Sequence, residues 1–125
     1  MRREIENWWK QAEIDLKTAE NSFKNKDYYA SVFWCQQSVE KGLKAVILSK
    51  SKEKIMGHSL IYLGKTAGIP KDYISKLKKL SPQYFLSRYP DASEDIPYEL
   101  YDEDISNLFL EIAKEVLSWI KNQIK

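Results

Sequence analysis

Apolar positions recur at helical spacing along most of the chain. Between residues 4 and 24 they fall at Ile5, Trp9, Ala12, Leu16, Ala19 and Phe23, in steps of three and four with charges between. That spacing predicts an amphipathic helix. Asn25 suits its C-terminal cap, and Asp27 can accept a backbone N–H at the start of the next helix. So short a connection predicts antiparallel neighbours.

Residues 28–48 are apolar or small in almost every direction around a helix, which marks a core helix about 31 Å long. Tyr29, Val32, Val39, Leu43 and Ile47 share a broad face, and Ser31, Cys35, Ser38, Gly42 and Ala45 form a second face of small side chains. Small residues admit a close helix, either from this chain or from a second copy. The polar strip is narrow: Gln37, Lys41 and Lys44, with Gln36 and Glu40 at its border inside the apolar face. A polar loop is expected over residues 49–54. Gly57-His58-Ser59 leads into a short helix carrying Leu60, Ile61 and Leu63, ended by Gly64 or Gly68. Pro70 is read as the first residue of a further helix buried through Tyr73, Ile74, Leu77 and Leu80, and Ser81-Pro82 restarts another toward Arg88-Tyr89-Pro90. Residues 90–101 have no sustained period and read as a long acidic loop. Asp102 or Asp104 caps a last helix with Ile105, Phe109, Ile112, Val116, Trp119 and Gln123 at heptad spacing, flanked by Leu108, Ile120 and Ile124.

With 125 residues, four glycines and four prolines, the chain reads as one all-α domain over residues 1–125. No apolar run of 18 residues and no signal peptide are recognisable, so a cytoplasmic protein without membrane contact is expected. Net charge is only +2, but its distribution is uneven. Residues 41–90 hold eleven Lys or Arg against Glu53 and Asp72, and residues 91–104 hold seven acids and no base. Such a pattern can steer an anion, pair internally or pair across a dimer.

Little of the chemistry points to catalysis. One cysteine, Cys35, lies mid-helix as a small core residue, and one histidine, His58, lacks a companion, so neither a metal site nor a nucleophilic triad is assembled. The acids of 91–104 lack calcium-loop spacing, and Gly57, Gly64 and Gly68 are too far apart for a phosphate loop. His58 either bonds a backbone group or nearby acid, or contacts an anion or base. Arg88 either binds carbonyls of its own helix or the acidic loop, or engages phosphate while Tyr89 stacks on a base. Glu40 and Lys44 are spaced for an internal ion pair. Trp8, Trp9, Trp34 and Trp119 read as core or interface anchors.

Taken together, the first amphipathic helix, the 28–48 segment with its Gln-Gln and Glu-Lys-Gly-Leu-Lys-Ala spacing, Gly-His-Ser-Leu-Ile-Tyr-Leu and Ser-Arg-Tyr-Pro-Asp resemble the HEPN domain family, from about Ile5 to about Ile120. The resemblance implies an up-and-down bundle of four main helices with one or two short ones, usually a homodimer, often acting beside a small nucleotidyltransferase-like protein. It also implies nucleotide or RNA binding, with Gln37, Lys41, Lys44, His58 and Arg88 at recurring polar positions, beside which Tyr89, from its residue type, adds a stacking surface. Ribonuclease toxins of the family are metal-independent and carry an arginine followed four to six residues later by a histidine. Here positions 92–95, following Arg88, read Ala, Ser, Glu and Asp. The expectation is therefore a non-catalytic binding module without a cofactor, with an RNase toxin as the alternative.

Overall fold

A computed structural model describes residues 2–51 and 56–124. Among these, all regular structure is helical: α1 (Arg3–Lys24), α2 (Tyr28–Lys50), α3 (Leu60–Ala67), α4 (Lys71–Leu80), α5 (Gln83–Leu86), α6 (Pro97–Leu100) and α7 (Glu103–Gln123), with a 3₁₀ turn at Pro90–Ala92. The architecture is the all-α bundle that the periodicity predicts. Half of the polar loop expected over 49–54, residues 52–54, lies outside the described residues, while Ser49 and Lys50 extend α2.

The small-residue face of α2 packs within the chain. Ser31 Oγ donates to the carbonyl of Ala19 (2.8 Å), Ser38 Oγ donates to that of Ala12 (2.7 Å), and Ala45 meets Ile5. Each step of seven forward on α2 is a step of seven back on α1, so the two helices run antiparallel with their backbones close. The serine hydroxyls bond carbonyls of the facing helix, which satisfies polar groups that would otherwise be costly to bury.

Helix α7 runs parallel to α2. Ser106 Oγ donates to the carbonyl of Tyr28 (3.4 Å) at one end, and Gly42 faces Ile120 and Leu117 at the other. Lys114 reaches Glu20 of α1 (3.7 Å), so α1 and α7 are antiparallel. Val32, Val39, Leu43 and Val46 of α2 form the core with Phe109, Ala113, Val116 and Ile120 of α7 and with Leu60, Leu63, Leu77 and Leu80 of α3 and α4. Burying each such leucine stabilises the fold by about 1.5–3 kcal/mol. Lys76 of α4 pairs with Glu115 of α7, and Lys50 Nζ donates to the carbonyl of Ala67 (2.6 Å), tying the end of α2 to the end of α3.

Several local expectations change. Asp27 precedes α2 but its carboxylate caps nothing; it accepts from Asn25 Nδ2 (2.8 Å). Pro70 is the residue before α4 rather than its first. The 90–101 segment is not featureless: Pro90 and Pro97 each open a single helical turn, where a missing N–H costs nothing. Ser59 and Asp102 do cap, accepting from the backbone N–H of Tyr62 (3.3 Å) and Ile105 (2.9 Å). Gly68 closes α3 at φ +79°, a conformation that favours glycine. On α7 the heptad stripe is rotated: Ile105, Leu108 and Gln123 are exposed, while Ser106, Leu110, Ala113 and Leu117 are buried. Tyr29 is also partly exposed, edge-on to Tyr98 at 6.0 Å.

Candidate functional site: the Glu40, His58 and Arg88 surface

One turn of α2 brings Gln36 and Glu40 to the same side, where both are buried. Glu40 accepts from Lys44 Nζ (3.0 Å), His58 Nδ1 (2.9 Å) and Gln36 Nε2 (3.2 Å). Three donors on one carboxylate offset the cost of removing its charge from water. Gln36 Nε2 also lies within donating distance of the His58 carbonyl (3.3 Å), and Gln37 Nε2 donates to Gln36 Oε1 (2.8 Å). The segment before α3 is thereby fastened to the core helix. With Nδ1 on Glu40, His58 keeps its Nε2 for another partner, and its side chain is 46% exposed.

The imidazole lies flat on Tyr84 of α5, with centroids 3.9 Å apart and planes at 14°. Arg88, one turn later, places its guanidinium carbon 4.3 Å from the Tyr84 centroid and 4.7 Å from those of Phe33 and Tyr89. Its Nε donates to the Tyr84 carbonyl (3.0 Å), so the arginine does bind its own helix. No carboxylate lies within ion-pair distance of Arg88 among the described residues. Beside this stack His58, Ser59, Ser81, Pro82, Tyr84 and Phe85 line an open groove of about 310 Å³.

The six expected site residues thus fall into two groups. His58, Arg88 and Tyr89 gather around the Tyr84 stack. Gln37, Lys41 and Lys44 lie along α2 and connect to it only through Gln36 and Glu40. Lys41 is paired with the buried Asp15 of α1, which also accepts from Gln11 Nε2 (2.8 Å), and lies 5.9 Å from the Trp34 ring centre. Lys44 lies 5.5 Å from Trp8 while paired with Glu40. Each lysine has a carboxylate of its own, so Arg88 is the cation of the set with charge to offer a ligand.

Tyr84, Phe33 and Asp15 belong to these groups although no motif in the sequence singles them out. A signal for Tyr84 exists in its position four residues before Arg88, which stacks ring and guanidinium on one helical side. Asp15 carries no such signal, because an acid on an amphipathic helix normally faces water. Cys35 is buried and its thiol is pushed up to about 12 by desolvation, which makes it a core residue rather than a nucleophile. No cluster of three or more His, Cys, Asp or Glu side chains converges as a metal site would require among the described residues. Planar cation, aromatic ring and imidazole together can hold a phosphate and stack on a base.

Three kinds of similarity bear on this surface. A family model described as "HEPN domain" matches residues 5–123. A protein of Methanocaldococcus jannaschii named "Putative toxin MJ1304" is 30% identical over 129 residues, covering 93% of this chain and 85% of its own. Among solved structures, TT1696 from Thermus thermophilus superposes with a TM-score of 0.90 at 28% identity, over 98% of this chain and 99% of that one. ST0689, described as an archaeal HEPN homologue, gives 0.84 at 37% identity over 100% of both chains.

Proposed function

The chain belongs to the HEPN domain family, and from that premise we propose that it is a non-catalytic binding module that takes a nucleotide at the His58, Tyr84 and Arg88 surface. The observation that carries this reading is Arg88: a guanidinium without a carboxylate partner among the described residues, held against aromatic rings beside an open groove. Its fork of donors suits a phosphate, and Tyr89, Phe85 and His58 offer ring faces or edges to a base. A homodimer and a nucleotidyltransferase-like protein are the partners that belong with this reading. A thermal-shift panel of mononucleotides and short RNA at millimolar concentration tests it. Stabilisation by at least one of them, lost in Arg88→Ala, is expected; no shift with any ligand sinks the proposal.

One observation favours a second reading. His58 and Arg88 share Tyr84, and Glu40 holds the Nδ1 proton of His58, an arrangement that orients an imidazole for acid–base work. The similar protein from M. jannaschii is named a toxin. On this reading His58 stands in for the histidine absent after Arg88 and the chain cuts RNA without metal. Cleavage in EDTA that disappears in both His58→Ala and Arg88→Ala supports it, and cleavage surviving either change rejects it.

A further inference from the structure

The α1–α2 turn, the start of α2, α6 and the link from α6 to α7 line a second cavity, away from the Tyr84 stack. It measures about 410 Å³ and is lined by Lys26, Tyr28, Tyr98, Glu99 and Tyr101. The tyrosine hydroxyls are directed elsewhere in two of three cases: Tyr101 donates to Gln83 Oε1, and Tyr28 donates to Glu103 Oε1 (3.4 Å). Both phenols are held above their ordinary ionisation range, chiefly by desolvation. Tyr98 is 67% exposed and touches the chain through the Tyr29 ring. All seven carboxylates between residues 91 and 104 are exposed. None has a Lys, Arg or His nitrogen within 4.0 Å among the described residues.

We infer that this cavity is a receptor slot for a lysine or arginine side chain of a basic partner segment. Three aromatic residues and a carboxylate around one opening are the donor set that recognises organic cations. Glu99 in its wall and Glu103 beside Tyr28 attract a positively charged chain and repel an anionic one. A second copy presenting the same face brings Glu99 and Glu103 against their own counterparts, which disfavours self-pairing here. Lys26 also lines the slot, without a carboxylate within 4.0 Å among the described residues, and its positive charge opposes an incoming cation. Its ammonium therefore competes with the partner.

Fluorescence anisotropy with a labelled alternating Lys-Gly decapeptide, and with its Gln-Gly counterpart, tests the slot. The lysine peptide should bind and the glutamine peptide should not. Tyr98→Ala removes one wall and no charge, and should weaken binding roughly five- to tenfold. Lys26→Ala should tighten it, because the internal competitor is gone. Circular dichroism melts verify that both exposed-site variants fold. Equal affinity of wild type and Tyr98→Ala reduces the effect to general acidity and overturns the slot. Weaker binding in Lys26→Ala overturns it as well. Self-association at low salt that Glu99→Lys abolishes assigns the face to a second copy instead.

Discussion

His58 Nδ1 lies 2.9 Å from Glu40 Oε1, which joins a residue outside any helix to a carboxylate buried on the core helix. The same carboxylate holds Lys44 and Gln36. Removing it leaves Lys44, whose side chain is 12% exposed, as an unpaired partly buried ammonium. Glu40→Ala should therefore cost about 3 kcal/mol, measured by urea denaturation. The double change Glu40→Met with Lys44→Met should recover part of that, since an apolar pair replaces the buried ion pair at little cost while Gln36 and His58 still lose an acceptor. A single-variant loss below about 1 kcal/mol, the range of exposed ion pairs, would show that the network is decorative.

Arg88 separates charge from shape. Lysine keeps the positive charge but not the planar fork that lies against Tyr84, Phe33 and Tyr89. If the groove binds a nucleotide, Arg88→Lys should weaken binding about tenfold and Arg88→Ala further, by titration calorimetry. Equal binding by arginine and lysine variants would mean that only a point charge matters.

The long helices were legible because their buried faces are apolar at a helical period, as in α1 and α2. The caps of α7 and α3 were legible from local backbone chemistry to within two candidates each, Asp102 or Asp104 and Gly64 or Gly68, of which the structure uses Asp102 and Gly68. The rotation of α7 was not legible, because apolar residues lie on several sides of this helix, Ile105 and Leu108 as well as Leu110 and Leu117, and the pattern alone does not say which of them the bundle covers. Ser106 is buried because it bonds the carbonyl of Tyr28, a tertiary fact. The site was half legible for the same reason. His58 and Arg88 stand out as a lone histidine and an arginine beside tyrosine, whereas the neutralisation of Lys41 by Asp15 depends on how α1 docks. The resemblance to the HEPN family agrees with the match over residues 5–123.

Two glycines test how tightly the helices meet. A Cβ at Gly42 would lie 2.8 Å from Ile120 Cδ1, the end of a buried side chain, and one at Gly64 would overlap Leu77 Cδ1 and press on Ile69 Cγ2 at 3.2 Å. Alanine in place of glycine favours a helix interior by about 1 kcal/mol. Overpacking costs about 1–3 kcal/mol, so the two effects nearly cancel at Gly42. At Gly64 two neighbours must move, and the loss should prevail. Gly64→Ala should lower the Tm by several degrees and more than Gly42→Ala does. The reverse order would mean that the α3–α4 contact yields more easily than the α2–α7 contact.

Alkaline pH should destabilise the fold through Cys35 and Tyr101. Burial raises the Cys35 thiol from 9.0 to about 12 and the Tyr101 phenol from 10.0 to about 12. Below pH 9 both groups are protonated in the folded and unfolded chains, and neither makes stability depend on pH. Between pH 9 and 12 the unfolded chain releases protons that the folded chain retains, so rising pH favours unfolding. The slope per group is at most about 1.4 kcal/mol per pH unit, and it is smaller for the half-buried Tyr101, where solvent screens the charge. Urea midpoints measured from about pH 7 to about pH 11 should be flat to about pH 9 and then fall. Cys35→Ala should be less stable at neutral pH but show a shallower alkaline decline. An identical decline in wild type and Cys35→Ala would remove the thiol as its cause.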